Sequence, residues 1–183
     1  MSEGIGYKYE YLQQQLADAV LLAVTTHQHH RRKYTFEPYA FHLFEVAQML
    51  KKYVTDIEML FIGQSILILH DIVEDCQYPE FLLKQQFCPD IHAGVMAMSD
   101  LEDGNRETRT RLSRERLAKQ GWLIQTCKIC DRLSNLPSII KHAPTRALNY
   151  VQETRLLLDS LLCADPRARN DLRELIEEYE ASL

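Results

Sequence analysis

Apolar residues recur along this chain at the three- and four-residue steps of a helix, and almost nowhere at the two-residue step of a strand. Leu12, Leu16, Ala19, Val20, Ala23 and Val24 share one face of a first segment, and Leu43, Val46, Ala47 and Leu50 repeat the spacing in a second. Thr55-Asp56-Ile57-Glu58 reads as a capping box that opens a third helix. The stretch that follows, "MLFIGQSILIL", is apolar nearly all round, which predicts a central buried helix. Pro79 suits the first turn of a fourth helix, and Pro89 separates it from a fifth, "DIHAGVMAMS". Glu107–Gln120 is highly charged and reads as a solvated helix or a loop. Helical spacing returns in "WLIQTCKICDRLSNL", "TRALNYVQETRLLLDSLL" and "RNDLRELIEEYEAS", with Asp165-Pro166 marking the last break. Six glycines and no alternating hairpin pattern leave little room for a sheet. The expectation is a compact all-α fold in a single domain over residues 1–183.

Composition narrows the partners. Lys+Arg 21 against Asp+Glu 26 gives a net charge of −5, which does not suggest nucleic acid or an anionic membrane as the general partner. No apolar run reaches the length of a membrane span. "MSEGIGYKYEYLQQQ" has no apolar core of a secretion signal. Five cysteines at scattered spacing argue against a disulfide framework and for a reducing, cytoplasmic setting. Cys127 and Cys130 form a lone C-x-x-C with no second close pair, so we read them as helix core rather than a zinc or redox motif.

Candidate chemistry gathers where the buried helix ends. "ILHDIVEDC" places His70, Asp71, Glu74 and Asp75 within six residues at the edge of the apolar run. Adjacent acids in a poorly solvated place repel one another, and a divalent cation would reverse the sign of that cost. On one continuous helix His70 and Glu74 would share a face, as would Asp71 and Asp75. His42 lies on the apolar side of its own segment, and Asp131 follows the apolar "KIC", with Asn135 one turn on. Two imidazoles and two carboxylates from three helices form a mixed nitrogen and oxygen set suited to Mn²⁺, Fe²⁺ or Zn²⁺.

The order His, His-Asp, Asp resembles the HD-domain phosphohydrolases, and the detail is closer still. "EPYAFHLFEVAQML" resembles the "PYxxHPxxVAxIL" signature of the hydrolase domains of RelA/SpoT-type alarmone proteins. "LILHDIVEDC" resembles their "LLHDVVEDT", and "KICDRLSNL" their "KLADRLxNM". Upstream, "HQHHRRKYTFEPY" resembles the "HxxQRRKDxxxPY" of small stand-alone alarmone hydrolases. The resemblance spans about residues 27–160. Its departures include three positions near the expected pocket. Leu43 stands for the usual Pro, Ser134 for the usual His, and Pro137 for an Arg; none is an expected metal ligand, and they are expected beside the nucleotide pocket.

The resemblance implies an all-α HD fold and a metal-dependent hydrolase. It would remove the 3′-diphosphate of guanosine or adenosine alarmones, (p)ppGpp or (p)ppApp, as pyrophosphate. It assigns one divalent ion, with Mn²⁺ the expected metal, to His42, His70, Asp71 and Asp131, and the catalytic acids to Glu74 and Asp75. A multiply phosphorylated ligand on an acidic protein needs local positive charge. "HHRRK" offers it, so Arg32 and Lys33 are the expected phosphate contacts and Asn135 the nucleoside contact. Tyr150 could close the pocket, although a core role fits its position as well. The implied partner is a small-molecule nucleotide, without nucleic acid or membrane; a homo-oligomer is compatible. The 183 residues leave no room for a synthetase domain, so hydrolysis without synthesis is expected. The alternatives are an HD phosphatase on another nucleotide, such as a nicotinamide dinucleotide phosphate, and a nucleotide sensor without activity.

Overall fold

A computed structural model describes residues 3–183, with side chains from Lys8 onward. Helix α1 spans Glu3–Thr26 and α2 Ala40–Met49; a 3₁₀ turn, Leu50–Lys52, follows directly. Then come α3 (Ile57–Leu69), α4 (Ile72–Cys76), α5 (Glu80–Gln86) and α6 (Pro89–Met98). The chain finishes with α7 (Arg106–Leu117), α8 (Trp122–His142), α9 (Pro144–Ser160) and α10 (Pro166–Ala181). Among the described residues the sole β feature is an isolated bridge between Arg31 and Pro38. No described helix is long and apolar enough to cross a membrane.

Helix α3 is the axis. Every residue from Ile62 to Leu69 is buried, because α1, α2, α6 and α8 pack around it. Its start is fixed by Asp56, whose carboxylate accepts the Met59 N–H at 2.9 Å. The cap is therefore Asp56 and not the Thr55 of the expected box; a carboxylate also suits the positive end of the helix dipole. Close approach to α6 depends on Gly94, where an added Cβ would stand 2.7 Å from Ile66 Cγ1. Helix α8 carries the second half of the core, packing against α9 and α10 as well as α2 and α3. Its Cys127 and Cys130 are fully buried, as the helix-core reading expects. Pro137 lies inside α8, which runs on to His142. One apolar core joins Leu12 of α1 to Ile176 of α10. Val24 is an exception to the predicted α1 face, being exposed.

Two local details position the site. Helix α3 stops at Leu69, and Asp71 sits at φ −101°, ψ 1° before α4 begins. The expected single helix through His70–Asp75 is thus broken into two, and the i, i+4 faces do not apply across the break. That bridge-region backbone is sparsely populated and common in active sites. Helix α4 closes on Gln77 in the left-handed region, φ 54°. The second detail is the turn at residues 31–38, closed by Arg32 N–H to Glu37 O (2.9 Å) and Tyr39 N–H to His30 O (3.1 Å).

Candidate active site

His42 comes from α2, His70 from the end of α3, Asp71 from the break and Asp131 from the middle of α8. His42, His70 and Asp131 are buried, at 2 %, 1 % and 6 % exposure. Hydrogen bonds fix which ring nitrogen of each histidine carries its proton. His70 Nδ1 lies 2.7 Å from the Leu67 carbonyl, which can only accept, so Nδ1 donates and the lone pair of the neutral ring is on Nε2. His42 Nδ1 lies 3.0 Å from Ser134 Oγ, and the Ser134 hydroxyl donates to Glu45 Oε2 at 2.7 Å. Oγ has spent its one proton, so His42 Nδ1 must donate to it, and the His42 lone pair is on Nε2 as well.

Both lone pairs converge on carboxylates. His42 Nε2 is 3.4 Å from Asp131 Oδ1 and has no hydrogen-bond partner. His70 Nε2 is 2.9 Å from Asp71 Oδ2 and 3.7 Å from Asp131 Oδ1. Donor atoms of His42, His70 and Asp131 all lie within 4.8 Å of one another. Lone pairs facing carboxylates in a buried place need positive charge between them. Without a metal, a proton on His70 must serve: burial alone would lower its pKa, but Asp71 and Asp131 raise it well above the usual value. Burial would likewise raise Asp131, yet Lys128, His42 and His70 hold it well below the carboxylate range. Asp71, opposed by burial, is drawn down to about 2 by His70 and the donating Tyr39 hydroxyl. An orphaned buried Nε2, two tethered imidazoles and two ionised carboxylates fit a divalent cation, with each ligand held from behind by a second group.

Beside this cradle opens a cavity of about 320 Å³. Glu74 and Asp75 of α4 line it, both exposed. Desolvation pushes Glu74 up to about 7 against the Asp100 N–H that it accepts at 3.1 Å, with Asp100, Asp71 and Asp75 adding to the rise. Asp75 is raised too, by desolvation and then Asp71. The Asp100 loop is itself fastened. Arg116 donates to Glu102 Oε1 (2.7 Å) and to the Ser99 carbonyl (2.9 Å), and Ser113 donates to Asp100 Oδ1 (2.5 Å). Cations line the cavity as well: Lys128 and Arg132 of α8, Arg106 and Arg109 of α7. Lys128 Nζ is 3.6 Å from Asp131 Oδ2. Arg106 pairs with both oxygens of Glu153 at 2.8 and 2.7 Å. Arg132 lies 4.6 Å from the Tyr150 ring centroid, and its Nε and Nη1 have no partner.

No family model matches the chain. It is 30 % identical over 136 residues to guanosine-3′,5′-bis(diphosphate) 3′-pyrophosphohydrolase MESH1 of Drosophila melanogaster, an overlap covering 73 % of this chain and 72 % of that one. This chain belongs to the HD-type alarmone hydrolases. Their fold accounts for the architecture. A solved structure described as a metazoan ortholog of SpoT that hydrolyzes ppGpp and plays a role in starvation responses superposes with TM-score 0.81 at 23 % identity, over 90 % of this chain and 95 % of that one. The structure of lmo0812 from Listeria monocytogenes EGD-e follows with TM-score 0.61 at 16 % identity, over 75 % and 97 % of the two chains.

Within this alarmone-hydrolase scaffold, not every expected site residue reaches the cavity. His42, His70, Asp71 and Asp131 meet, and Glu74, Asp75 and Asn135 line the adjoining space. Asn135 donates to Asp131 Oδ1 at 2.6 Å and accepts from Arg32 Nη1 at 2.8 Å, so Arg32 reaches the site through Asn135. Arg32 lines a neighbouring cleft together with Ser134 and Pro137. Lys33 does not line the cavity: the turn at 31–38 leaves it exposed, with its ammonium 5.6 Å from the Tyr34 ring centroid. Sequence reasoning missed Tyr39, Lys128, Arg132, Arg106 and Arg109. Signals for three of them existed: Tyr39 stands in the "PYxxHP"-like motif, and Lys128 and Arg132 fall with Asp131 and Asn135 on one face of α8. Ser134 has a second part that its motif position did not suggest, as the group that orients His42.

Proposed function

We propose that this chain is a metal-dependent 3′-pyrophosphohydrolase of guanosine or adenosine alarmones, (p)ppGpp or (p)ppApp. The observation that carries the reading is the pair of Nδ1-tethered imidazoles whose Nε2 lone pairs meet Asp131 and Asp71 beside a cavity lined by both acids and cations. The similarity to MESH1 supplies the substrate class. His42, His70, Asp71 and Asp131 would hold one divalent ion, and Mn²⁺ is our choice for a set of imidazoles and carboxylates without thiolate. When bound, the ion acts as a Lewis acid, making water nucleophilic near neutral pH and offsetting charge at phosphorus.

The chain's own residues do the rest. Lys128, Arg132 and Arg109 line the cavity and receive the phosphates. Glu74, with a carboxyl whose affinity for protons is matched to neutral pH, takes the proton of the attacking water. Asp75 orients that water. The water oxygen bonds to the phosphorus attached at the 3′-oxygen, and the bond from that phosphorus to the 3′-oxygen breaks. The electron pair leaves with the 3′-oxygen, which gains a proton and becomes the 3′-hydroxyl of a 5′-di- or triphosphate nucleoside. The other product is pyrophosphate. Asn135 positions the nucleoside, and Arg32 steadies Asn135.

We read the chain as a single HD hydrolase domain, since one core joins α1 to α10 and the motifs occupy about residues 27–160. Five free cysteines suit a reducing, cytoplasmic location. The test is to incubate Mn²⁺-loaded protein with a panel of phosphorylated nucleotides and identify the products. Pyrophosphate from either alarmone supports the reading. Orthophosphate from another nucleotide, with both alarmones untouched, overturns the substrate and leaves the metal centre standing.

A further inference from the structure

A second cluster of metal-ligating side chains stands behind the first. His27 follows the end of α1, His30 opens the next turn, and Cys76 ends α4. His27 Nδ1 and His30 Nδ1 are 3.1 Å apart, Cys76 Sγ is 3.5 Å from His27 Nδ1, and it is 3.9 Å from His30 Nδ1. A tetrahedral zinc ion with bonds of about 2.0–2.1 Å to nitrogen and 2.3 Å to sulfur sets its donors about 3.3 Å (N to N) and about 3.6 Å (N to S) apart. The Nδ1–Nδ1 and His27–Cys76 edges lie near those values and the His30–Cys76 edge is longer; Cys76 Sγ is also 3.4 Å from His27 Nε2, so the His27 ring must turn to aim Nδ1 at an ion shared with the sulfur.

The state of His27 is also suitable. His27 is buried at 2 % exposure, and desolvation lowers its pKa to about 4, so its ring is neutral and can donate a lone pair. The two Nδ1 atoms face each other, and one N–H at most can occupy the space between them. His30 and Cys76 are partly exposed, which leaves an approach for an ion and a fourth position for water. Both stand where the resembled motifs carry Gln and Thr, so the cluster comes from this chain's own departures.

We infer that His27, His30 and Cys76 form a second cation site, selective for a thiophilic divalent ion such as Zn²⁺, distinct from the imidazole and carboxylate cradle. Binding deprotonates the Cys76 thiol, releases that proton to solvent and ties the end of α1 to the end of α4. The site adjoins the cradle: His27 stacks on Tyr39 with ring centroids 5.0 Å apart, and the Tyr39 hydroxyl donates to Asp71.

Cobalt(II) titration of the full chain tests this independently of hydrolysis, because the cradle contains no sulfur. Two equivalents of Co²⁺ should give a near-ultraviolet sulfur-to-cobalt band together with tetrahedral visible bands. Zn²⁺ should displace them. Cys76→Ser should abolish the sulfur band although Cys88, Cys127, Cys130 and Cys163 remain, and His30→Gln should weaken Co²⁺ binding at this site at least tenfold. Should Cys76→Ser fail to fold, protection of the wild-type Cys76 from alkylation by Zn²⁺, located by peptide mass mapping, takes its place. Absence of a sulfur band from the wild-type protein, its persistence in Cys76→Ser, or alkylation of Cys76 unaffected by Zn²⁺ would overturn the assignment.

Discussion

Ser134 offers the sharpest test of the cradle, because it touches the proposed metal ligands only through His42. Its hydroxyl accepts from His42 Nδ1 at 3.0 Å and donates to Glu45 at 2.7 Å. Ser134→Ala removes both contacts and leaves the His42 ring free to rotate and to place its proton on Nε2, the nitrogen the metal needs. Groups that orient a metal ligand from behind are worth about 10–100-fold in metal affinity or activity. At about 1.4 kcal/mol per tenfold, that is about 1.4–2.7 kcal/mol. The lost hydrogen bonds cost about 1 kcal/mol each in folding, and for a chain of this size each lowers the melting temperature by about 2–4 °C. Metal affinity, measured by competition with a chromophoric chelator, should therefore fall 10–100-fold while the protein stays folded. Ser134→Thr keeps the hydroxyl and should restore most of the loss. Wild-type affinity in Ser134→Ala, or equal losses in the Ala and Thr variants, would refute the tautomer argument.

Other outcomes follow from the same geometry. Asp71→Ala should lose metal and activity together, since Asp71 opposes the His70 Nε2 at 2.9 Å; elemental analysis after dialysis checks it. Glu74→Gln should retain metal but slow turnover by on the order of 10²–10⁴-fold. The raised Glu74 carboxyl sets the acid limb: activity needs its ionised form, so the rate falls as pH drops through a value at or below about 7, lower when the bound cation favours the charge. The residual rate of Glu74→Gln should lack that limb in a pH profile. Arg132→Met should raise KM for the alarmone with kcat less affected, whereas Lys33→Ala should change steady-state kinetics little. Gly94→Ala should cost about 1–3 kcal/mol by forcing α3 and α6 apart at Ile66, read by denaturant titration.

The sequence carried the fold well because helical spacing is local. Leu43, Val46, Ala47 and Leu50 are buried as the spacing required, and the all-apolar run became the buried α3. The break at Asp71 was not legible, since nothing between Leu69 and Ile72 is a helix breaker. Long-range pairings were equally hidden. Ser134 and His42 are 92 residues apart, and no periodicity could link them. The densest positive run is "HHRRK", whereas the cavity is lined by Lys128 and Arg132, which stand singly among mostly buried neighbours on α8. The motif marks Tyr39, but only the fold sets its hydroxyl on Asp71.

Phosphorus NMR of the reaction in ¹⁸O-water addresses the central claim most directly. Mn²⁺-loaded protein should convert ppGpp or its adenosine analogue into a 5′-diphosphate nucleoside with a free 3′-hydroxyl and pyrophosphate carrying one ¹⁸O. The reaction should stop on chelation and resume on adding Mn²⁺. Release of orthophosphate instead, label in the nucleoside, or turnover that survives removal of the metal would contradict the account.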